Sequence, residues 1–525
     1  MIPAFLTAHA PALLIALPML GAFFTPLAGK VSASLRNAWI FVVMLATAAI
    51  AVILAYDVLT AGTVVYTFGA SAPHVAIPID SGGIPIRIVF AIDAMSAFMV
   101  LSASIVGFAV MLYSLSSVSR TDGQDGYYAL LLLLLAGILG MVSTGDMFNF
   151  FVFLEINSLA GAGLVAYRID KGVAVEGALK YAVLSTLGGL LVLFAVALLY
   201  GQYDALNIAM IASRMQFTLL DQVALGMLVV ALAMKAGAVP MHFWTPDAYS
   251  MAPSSITAFL VVSSQASLYG IFRVAFTLYN VTLSWATIGW ILIVLGILSM
   301  FIGVTMAIPQ KDVKRLMAYH AISQTGYMLL GVGVGLAVLG NQAALDSYGL
   351  VAMEGGIFHI INHAMYKGLL FLTAGAIFYR TGTRNLNELG GLGHTMKWTM
   401  LFFIIGSLAI AGIPPFNGFA SKLLIYESVF LFSPILSIIA MVVSILTLAS
   451  FVKVFHSIFM GPRLPRYAEV SEVPFPMLAG MGILAAIVII FGLFPQQVVD
   501  FLVAPAAGAL IDQAGYIGTV LGGGI

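Results

Sequence analysis

The feature that most constrains the fold of this chain is a succession of long apolar segments that carry almost no charge. Because a bilayer leaves no water to satisfy backbone groups, such runs predict helices rather than barrel strands. The sequence therefore predicts an all-α polytopic protein of the cell (cytoplasmic) membrane, with about 14 transmembrane helices. The segments fall at about residues 10–28, 36–58, 88–117, 127–145, 147–168, 176–201, 220–246, 254–280, 284–308, 316–338, 348–380, 397–430, 433–459 and 474–497.

The charge content excludes several classes of protein. Only 8% of the 525 residues are charged, whereas a soluble domain carries about 25%. Lysine plus arginine and aspartate plus glutamate both total 21, so no basic surface for nucleic acid is expected. The absence of cysteine excludes disulfides and thiolate metal sites. Basic loop residues such as Arg168, Lys311, Arg384 and Arg463 follow odd-numbered segments, which predicts that both termini face outward.

Two of the segments are interrupted by proline. The seventh carries Pro240 within MKAGAVPMHFWTPDAY, and the twelfth carries Pro414 and Pro415 within AGIPPFNGFASKLL. Proline removes a backbone donor and clashes with the preceding turn, so each helix should break there. Broken helices five positions apart predict two inverted five-helix repeats. The expected domains are 1–125 (helices 1–3 and an extramembrane loop over 60–87), 126–280 (first repeat), 281–460 (second repeat) and 461–525 (helix 14 and tail).

Two opposite charges lie deep in separate apolar segments. Glu155 stands in FNFFVFLEINSLAGAGL and Lys235 in LVVALAMKAGAVP. A lone buried charge shifts toward its neutral form, whereas a pair keeps both groups charged. We therefore expect Glu155 and Lys235 to be partners, and a pair whose separation can change would release a proton. The alternative is a static structural ion pair.

A stripe of titratable residues lies in FHIINHAMYKGLLF. His359, His363 and Lys367 are spaced four apart, so a helix places them along one face. Histidine titrates near neutral pH and passes protons between its ring nitrogens, which favours a proton relay. The two histidines could also chelate zinc, but HIINH lacks the glutamate of the metalloprotease motif. No metal site is therefore predicted.

Further candidates accompany these residues. Lys422 follows the break of the twelfth segment as Lys235 accompanies the break of the seventh, so it is expected to act in proton transfer. Lys180 could either act or anchor its helix at the interface. His242 and His320 are secondary candidates whose default role is structural. The same default applies to other ionisable residues near helix ends, namely Asp93, Asp247, Arg273, Glu354, Glu427, Lys453 and His456.

Three long runs, in order, resemble one family. They are KAGAVPMHFWTPDAYSMAPSSITAFL, KDVKRLMAYHAISQTGYMLLG and FHIINHAMYKGLLFLTAGAIFY. They are similar to the proton-translocating antiporter-like subunits of respiratory complex I, Mrp sodium/proton antiporters and energy-converting membrane-bound hydrogenases. FNFFVFLEINSLAGAGL and PPFNGFASKLL look closest to the Mrp D type and its hydrogenase-complex relatives. The resemblance covers about helices 3 to 13.

The resemblance implies roles for the residues already selected. Glu155 and Lys235 match the family's glutamate and lysine pair. The stripe of His359, His363 and Lys367 matches its central connecting residues, and Lys422 its terminal lysine. One position departs from the pattern, because SSQASLYGIFR has Gln265 where many relatives carry a lysine. Glutamine can hydrogen-bond but cannot titrate, so the link from Lys235 to the stripe depends on water or is modified.

The expected function is a proton-translocating subunit of a multisubunit membrane complex. Its partners would be other membrane subunits, and its transport would be coupled to sodium/proton exchange or to redox chemistry in those partners. The alternative is a stand-alone secondary transporter of a small solute. The chain shows no paired catalytic aspartates, haem motif or iron–sulfur cysteines, so no cofactor and no catalytic redox site are expected in it.

Overall fold

The computed structural model describes residues 4–68, 88–119, 121–280 and 285–522, and these form a helical bundle. Most of the predicted extramembrane loop, which falls on 60–87, lies outside the described residues. The helices are α1 Ala4–Val31, α2 Ala33–Ala61, α3 Ala94–Ser117, α4 Gln124–Ser143, α5 Met147–Val165, α6 Gly172–Tyr203, α7 Ile208–Arg214, α8 Leu219–Ala236, α9 Trp244–Met251, α10 Ser254–Phe272, α11 Trp285–Ala307, α12 Val313–Ala337, α13 Gln342–Ala344, α14 Leu350–Thr381, α15 Lys397–Ala411, α16 Asn417–Phe432, α17 Pro434–Phe459, α18 Phe475–Leu493, α19 Pro495–Val498, α20 Ala504–Ile511 and α21 Gln513–Leu521.

Short turns of other helix types join or extend these elements. π-Helical turns occupy Arg273–Leu278, Leu345–Gly349 and Val499–Val503, and 3₁₀ turns occupy Leu392–His394 and Pro465–Tyr467. The first π turn continues α10, and the second leads into α14. The predicted all-α polytopic fold is confirmed.

Twelve of the described helices are long and apolar enough to cross a membrane, or thirteen if the bent pair Pro495–Ile511 and Gln513–Leu521 forms one span. The count of fourteen stays a prediction, because α12 and the interrupted pair α15 and α16 are not among these twelve. The inverted repeats and the four domain boundaries also stay predictions.

Both interrupted segments are broken in the structure. α8 ends at Ala236 and α9 begins at Trp244, while α15 ends at Ala411 and α16 begins at Asn417. A left-handed glycine terminates each first half, Gly237 with φ 73° and Gly412 with φ 76°. Glycine adopts this conformation without a Cβ clash. The prolines that follow keep the helix from resuming at once.

The third predicted segment begins too early. Residues Val89–Ile92 form strand β2, which pairs antiparallel with β1, Val64–Thr67. α3 starts only after Asp93, whose carboxylate accepts a hydrogen bond from the amide of Ser96 at 2.9 Å and caps the helix. A run of four apolar residues cannot be assigned to strand or helix by periodicity, which explains the error.

Two helices form the centre of the bundle. The most apolar windows of α10 and α14 are wholly buried inside the protein. α14 packs against α3, α10, α12, α15, α16 and α18. The stripe on α14 is therefore surrounded by α10, which packs against α8 of the first broken segment, and by α15 and α16 of the second. Every residue of the stripe lies away from lipid.

Candidate functional site

Glu155 on α5 and Lys235 on α8 form an ion pair at membrane depth. Lys235 Nζ lies 3.0 Å from Glu155 Oε1 and donates to Ser158 Oγ at 2.7 Å. The lysine side chain is 4% exposed and the glutamate side chain 24% exposed. The geometry is that of the pairing expected from the sequence, and the greater exposure of Glu155 leaves one end of the pair accessible from outside the chain.

The backbone of α6 makes room for this pair. A Cβ at Gly189 would lie 2.0 Å from Glu155 Oε1, and one at Gly188 would lie 3.3 Å from Lys235 Cε. Two successive glycines therefore let the helix approach both charged groups directly. The pair is confined between α5, α6 and α8, so its separation depends on how these helices pack.

Neutral polar side chains lead from the pair toward α10. Ser158, which binds Lys235, is adjacent in sequence to Asn157, whose Oδ1 accepts a hydrogen bond from Ser263 Oγ at 2.9 Å. Ser263 lies two residues before Gln265 on α10. These groups can orient a proton carrier, although they do not titrate near neutral pH.

Gln265 contacts the stripe directly. Its Nε2 donates to the carbonyl oxygen of Ile360 at 2.8 Å and lies 2.8 Å from His363 Nδ1. Because an amide nitrogen only donates, His363 Nδ1 is the acceptor and the ring carries its proton on Nε2. Gln265 Oε1 and His363 Nε2 are buried and have no partner in the described part of the chain. The contact between Gln265 and His363 therefore leaves one buried acceptor, Gln265 Oε1, and one buried donor, His363 Nε2, available for a further hydrogen bond.

Tyr366 connects the two histidines. Its ring centroid lies 5.6 Å from that of His363, and its hydroxyl lies 3.1 Å from His359 Nε2. His359 Nε2 also lies 3.1 Å from Gln324 Oε1 on α12, and its Nδ1 lies 2.9 Å from Ser421 Oγ on α16. His359 thus joins α12, α14 and α16, with both ring nitrogens engaged.

The line ends at Lys422, next to Ser421. The Lys422 ammonium donates to the carbonyl oxygen of Ile410 at 2.8 Å and to Ser444 Oγ at 3.0 Å. It also lies 4.8 Å from the ring centroid of Tyr327, whose ring is 5.4 Å from that of His359. Ile410 precedes the break of the twelfth segment, so the carbonyl released by that break helps to hold the buried cation.

Lys367, the third member of the stripe, points toward α12. Its ammonium donates to the carbonyl oxygen of Met317 at 2.6 Å and lies over the rings of Phe371 and Phe451, at 5.4 and 5.9 Å. It is fully buried, and its hydrogen bond goes to α12 and not to the histidines. The structure therefore places Lys367 beside the line and not between His363 and Lys422.

The secondary candidates lie in different surroundings. Lys180 is 45% exposed and pairs with Glu176 at 2.7 Å and Asp247 at 2.8 Å, in a cluster that Arg315 completes. His320 Nε2 lies 2.9 Å from Ser450 Oγ, and its ring packs on the same Phe451 that Lys367 faces. His242 stacks on Phe243 in the break between α8 and α9. Of these three residues, His320 is the one that shares an aromatic neighbour with Lys367.

Between Gln265 and Lys422, four residues in contact with the line were not selected from the sequence: Gln324, Tyr327, Tyr366 and Ser421. Tyr366 had a local signal, since it lies three residues after His363 and therefore on the same helix face. Gln324 lies four residues after His320. The contacts of Tyr327 and Ser421 depend on how separate helices meet, for which the sequence holds no local signal.

A second buried network lies at the C-terminal end of α10. The guanidinium of Arg273 binds Asp93 through two hydrogen bonds of 2.6 and 2.7 Å. It also binds the Tyr269 hydroxyl at 3.0 Å and lies 5.3 Å from the ring centroid of Tyr516 on α21. Bidentate geometry and aromatic stacking suit arginine. The network joins α3, α10 and the C-terminal helix, which is a structural role.

Comparison with known proteins identifies the family. Residues 144–447 match the family described as NADH:quinone oxidoreductase/Mrp antiporter, TM. The chain belongs to this family. It is 33% identical over 443 residues to the D-type subunit of the Na(+)/H(+) antiporter of Alkalihalophilus pseudofirmus, covering 83% of this chain and 86% of the relative. The family recognised from the three sequence runs is therefore confirmed.

Two solved structures share the whole fold. A chain of the Mrp complex from Dietzia sp. DQ12-45-1b matches with a TM-score of 0.82 and 28% identity, covering 98% of this chain and 99% of that one. A chain of the membrane-bound sulfane sulfur reductase, an archaeal respiratory membrane complex, matches with a TM-score of 0.83 and 30% identity, covering 97% and 99%. The protein is a multi-pass membrane protein of the antiporter-like type.

Proposed function

We propose that this chain is a proton-translocating subunit of a multisubunit membrane complex, and that it relays protons along the buried line from Glu155 and Lys235 to Lys422. The observation that carries the proposal is the series of contacts between Gln265 and Lys422. Hydrogen bonds join Gln265 to His363, and His359 to Tyr366 and Ser421. Ring contacts join His363 to Tyr366, and Tyr327 to His359 and Lys422, and at these contacts the proposal requires water to carry the proton. Ionisable groups at membrane depth are costly and are found where ions or protons move.

The middle of the line has the chemistry that proton transfer needs. Imidazole accepts a proton on one ring nitrogen and releases it from the other. His359 has polar partners at both nitrogens, and Tyr366 and Ser421 carry hydroxyls that both donate and accept. At each end a lysine is held by uncharged groups or by a single carboxylate. A change in these contacts alters the preference of the lysine for its proton.

The coupling resides in partner subunits. The similar chains belong to a sodium/proton antiporter and to respiratory membrane complexes. We propose that this chain likewise assembles with other membrane subunits and is coupled through them to sodium/proton exchange or to redox chemistry. Glu155, the more exposed end of the first ion pair, is placed to respond to such a neighbour.

The experiment that tests this function replaces Lys422 in the intact complex. Lys422→Ala should abolish complex-dependent ion transport in reconstituted vesicles while the complex still assembles. Lys453→Ala is the matched control, because the Lys453 ammonium also donates to a backbone carbonyl, that of Ile308 at 2.6 Å, but lies outside the line. Wild-type transport in Lys422→Ala would contradict the relay.

Purification in mild detergent distinguishes the alternative of a stand-alone carrier. The proposal expects other hydrophobic membrane subunits to co-purify with the chain, and transport to require them. Transport of a small solute by the isolated chain would favour the alternative.

A further inference from the structure

A separate cavity lies where α3, α5 and α14 end and α10 begins, away from the buried line. Its volume is about 240 Å³, and its lining includes Ser117, Tyr167, Arg168, Ser255 and Phe378. Pockets for drug-sized ligands begin at about 300 Å³. The cavity is therefore suited to a headgroup-sized ligand, and its lining mixes polar and apolar groups.

Arg168 brings a positive charge to the cavity lining, and Arg384 lies nearby, outside the lining. The guanidinium groups of Arg168 and Arg384 lie 5.3 and 5.9 Å from the centroid of the same Phe378 ring. Arg384 pairs with Asp312 at 3.1 Å, whereas Arg168 has no hydrogen-bond or ion-pair partner within the described ranges. Arg168 lies in the loop between α5 and α6, where burial and the like charge of Arg384 lower its pKa. An anion beside Arg168 would compensate both effects.

The walls of the cavity are held in place by hydrogen bonds. The Tyr167 hydroxyl lies 2.7 Å from Thr121 Oγ1 and donates to the carbonyl oxygen of Asp122 at 2.7 Å. Ser255 Oγ lies 2.7 Å from the Tyr127 hydroxyl. Ser117 Oγ is buried and has no partner in the part of the chain that the structure describes. Because these hydrogen bonds fix the wall before a ligand binds, the entropic cost of ordering it on binding is reduced. The Ser117 hydroxyl is available to bond the ligand.

Two further observations indicate the kind of anion. The cavity is lined by Ser254 and Ser255 of the first turn of α10, where the helix dipole favours negative charge. Next to Arg168, the side chains of Ile169 and Val173 are 79% and 56% exposed. Exposed apolar groups flanking a cation at helix ends are typical of the boundary between lipid tails and headgroups.

We propose that this cavity binds the phosphate of an anionic phospholipid headgroup, with Arg168 as its principal partner and the Ser117 hydroxyl as a second hydrogen-bonding group. The site is distinct from the proton line. It lies between α10 and α14, the same two helices that meet at Gln265 and His363, so a bound lipid would also fasten these helices together at one end.

The test measures lipid retention by the delipidated, intact complex with native mass spectrometry. The probes are phosphatidylglycerol, phosphatidylcholine and inorganic phosphate, each titrated separately. Arg168→Gln removes the charge, and Ser117→Leu fills the cavity. Arg466→Gln is the matched control, because the Arg466 guanidinium also lies over an aromatic ring, at 4.8 Å from the centroid of Tyr467, but does not line the cavity.

We expect the wild-type complex to retain phosphatidylglycerol in preference to phosphatidylcholine. The apparent affinity should fall about tenfold or more in Arg168→Gln, as expected for a lost charge-assisted hydrogen bond, and also in Ser117→Leu, with no change in Arg466→Gln. Equal retention in all variants would overturn the site. Binding of inorganic phosphate without retention of lipid would overturn the lipid assignment.

Discussion

Gly189 offers a way to weaken the ion pair between Glu155 and Lys235 without removing either charge. In Gly189→Ala the new Cβ would lie 2.0 Å from Glu155 Oε1, whereas ordinary contact begins at 3.4 Å. The obstructing atom is the end of a flexible side chain, so the carboxylate can retreat by about 1.4 Å without disturbing the helices. Its distance from the ammonium then rises from 3.0 Å to about 4.4 Å.

The electrostatic cost follows from these distances. At an effective dielectric constant of about 20, the attraction falls from about 5.5 to about 3.8 kcal/mol. Partial hydration of Glu155, whose side chain is 24% exposed, offsets some of this loss. We therefore expect the balance between paired and separated states to shift by about tenfold, and transport to fall by about fivefold to tenfold.

The assay compares complex-dependent proton transport in vesicles for Gly189→Ala and Gly201→Ala. Gly201 lies on the same helix α6, and a Cβ there meets nothing within 4 Å. Both substitutions gain about the same helix propensity, about 1 kcal/mol, so the comparison isolates the contact with Glu155. Equal transport in the two variants would refute the proposal that the spacing of this pair controls proton release.

Three other predictions concern Gln265, Arg273 and Asp146. Gln265→Leu removes the bond to His363, so transport in vesicles should fall at least about tenfold while assembly is kept. Arg273→Gln leaves Asp93 buried without its partner and should lower the stability of the complex by about 3–5 kcal/mol in chemical unfolding. Burial raises the pKa of Asp146, in the loop before α5, to about 6, so the free energy of unfolding should rise as pH falls from about 7 to about 4.

The sign of the last effect follows from proton binding. Between about pH 4 and pH 6 the folded chain holds a proton on Asp146, whereas the unfolded chain, in which the pKa of this group is 3.8, has released that proton. Asp146→Asn, which keeps a good helix cap, should remove this pH dependence, and an unchanged slope would contradict it. Wild-type transport in Gln265→Leu would contradict the prediction for Gln265. Wild-type stability in Arg273→Gln would contradict the prediction for Arg273.

The sequence predicts the parts of this protein that depend on local pattern or on the cost of burial. Apolar runs located the helices, and proline located both breaks. The pairing of Glu155 with Lys235 could be inferred because an isolated charge in hydrocarbon needs a partner. The strand Val89–Ile92 was missed because its pairing partner, Val64–Thr67, is separated from it in sequence.

The structure adds the neutral groups that join the titratable ones. Gln324 and Ser421 contact His359 from two other helices, and no local pattern distinguishes them from other buried polar residues. The network of Asp93 and Arg273 was undervalued for the same reason, since each residue alone is an ordinary helix-end charge. Lys367 shares a helix face with the histidines, but its hydrogen bond is decided by the packing of α12.

The decisive measurement is proton flux through the intact complex in Lys235→Ala, in Lys422→Ala and in the double variant. These residues lie at opposite ends of the buried line. If protons pass along one line, each single substitution abolishes flux and the double variant is no worse. If each single variant kept a part of the flux and only the double variant lost it all, the two lysines would serve separate paths, and the relay through His363 and His359 would be wrong.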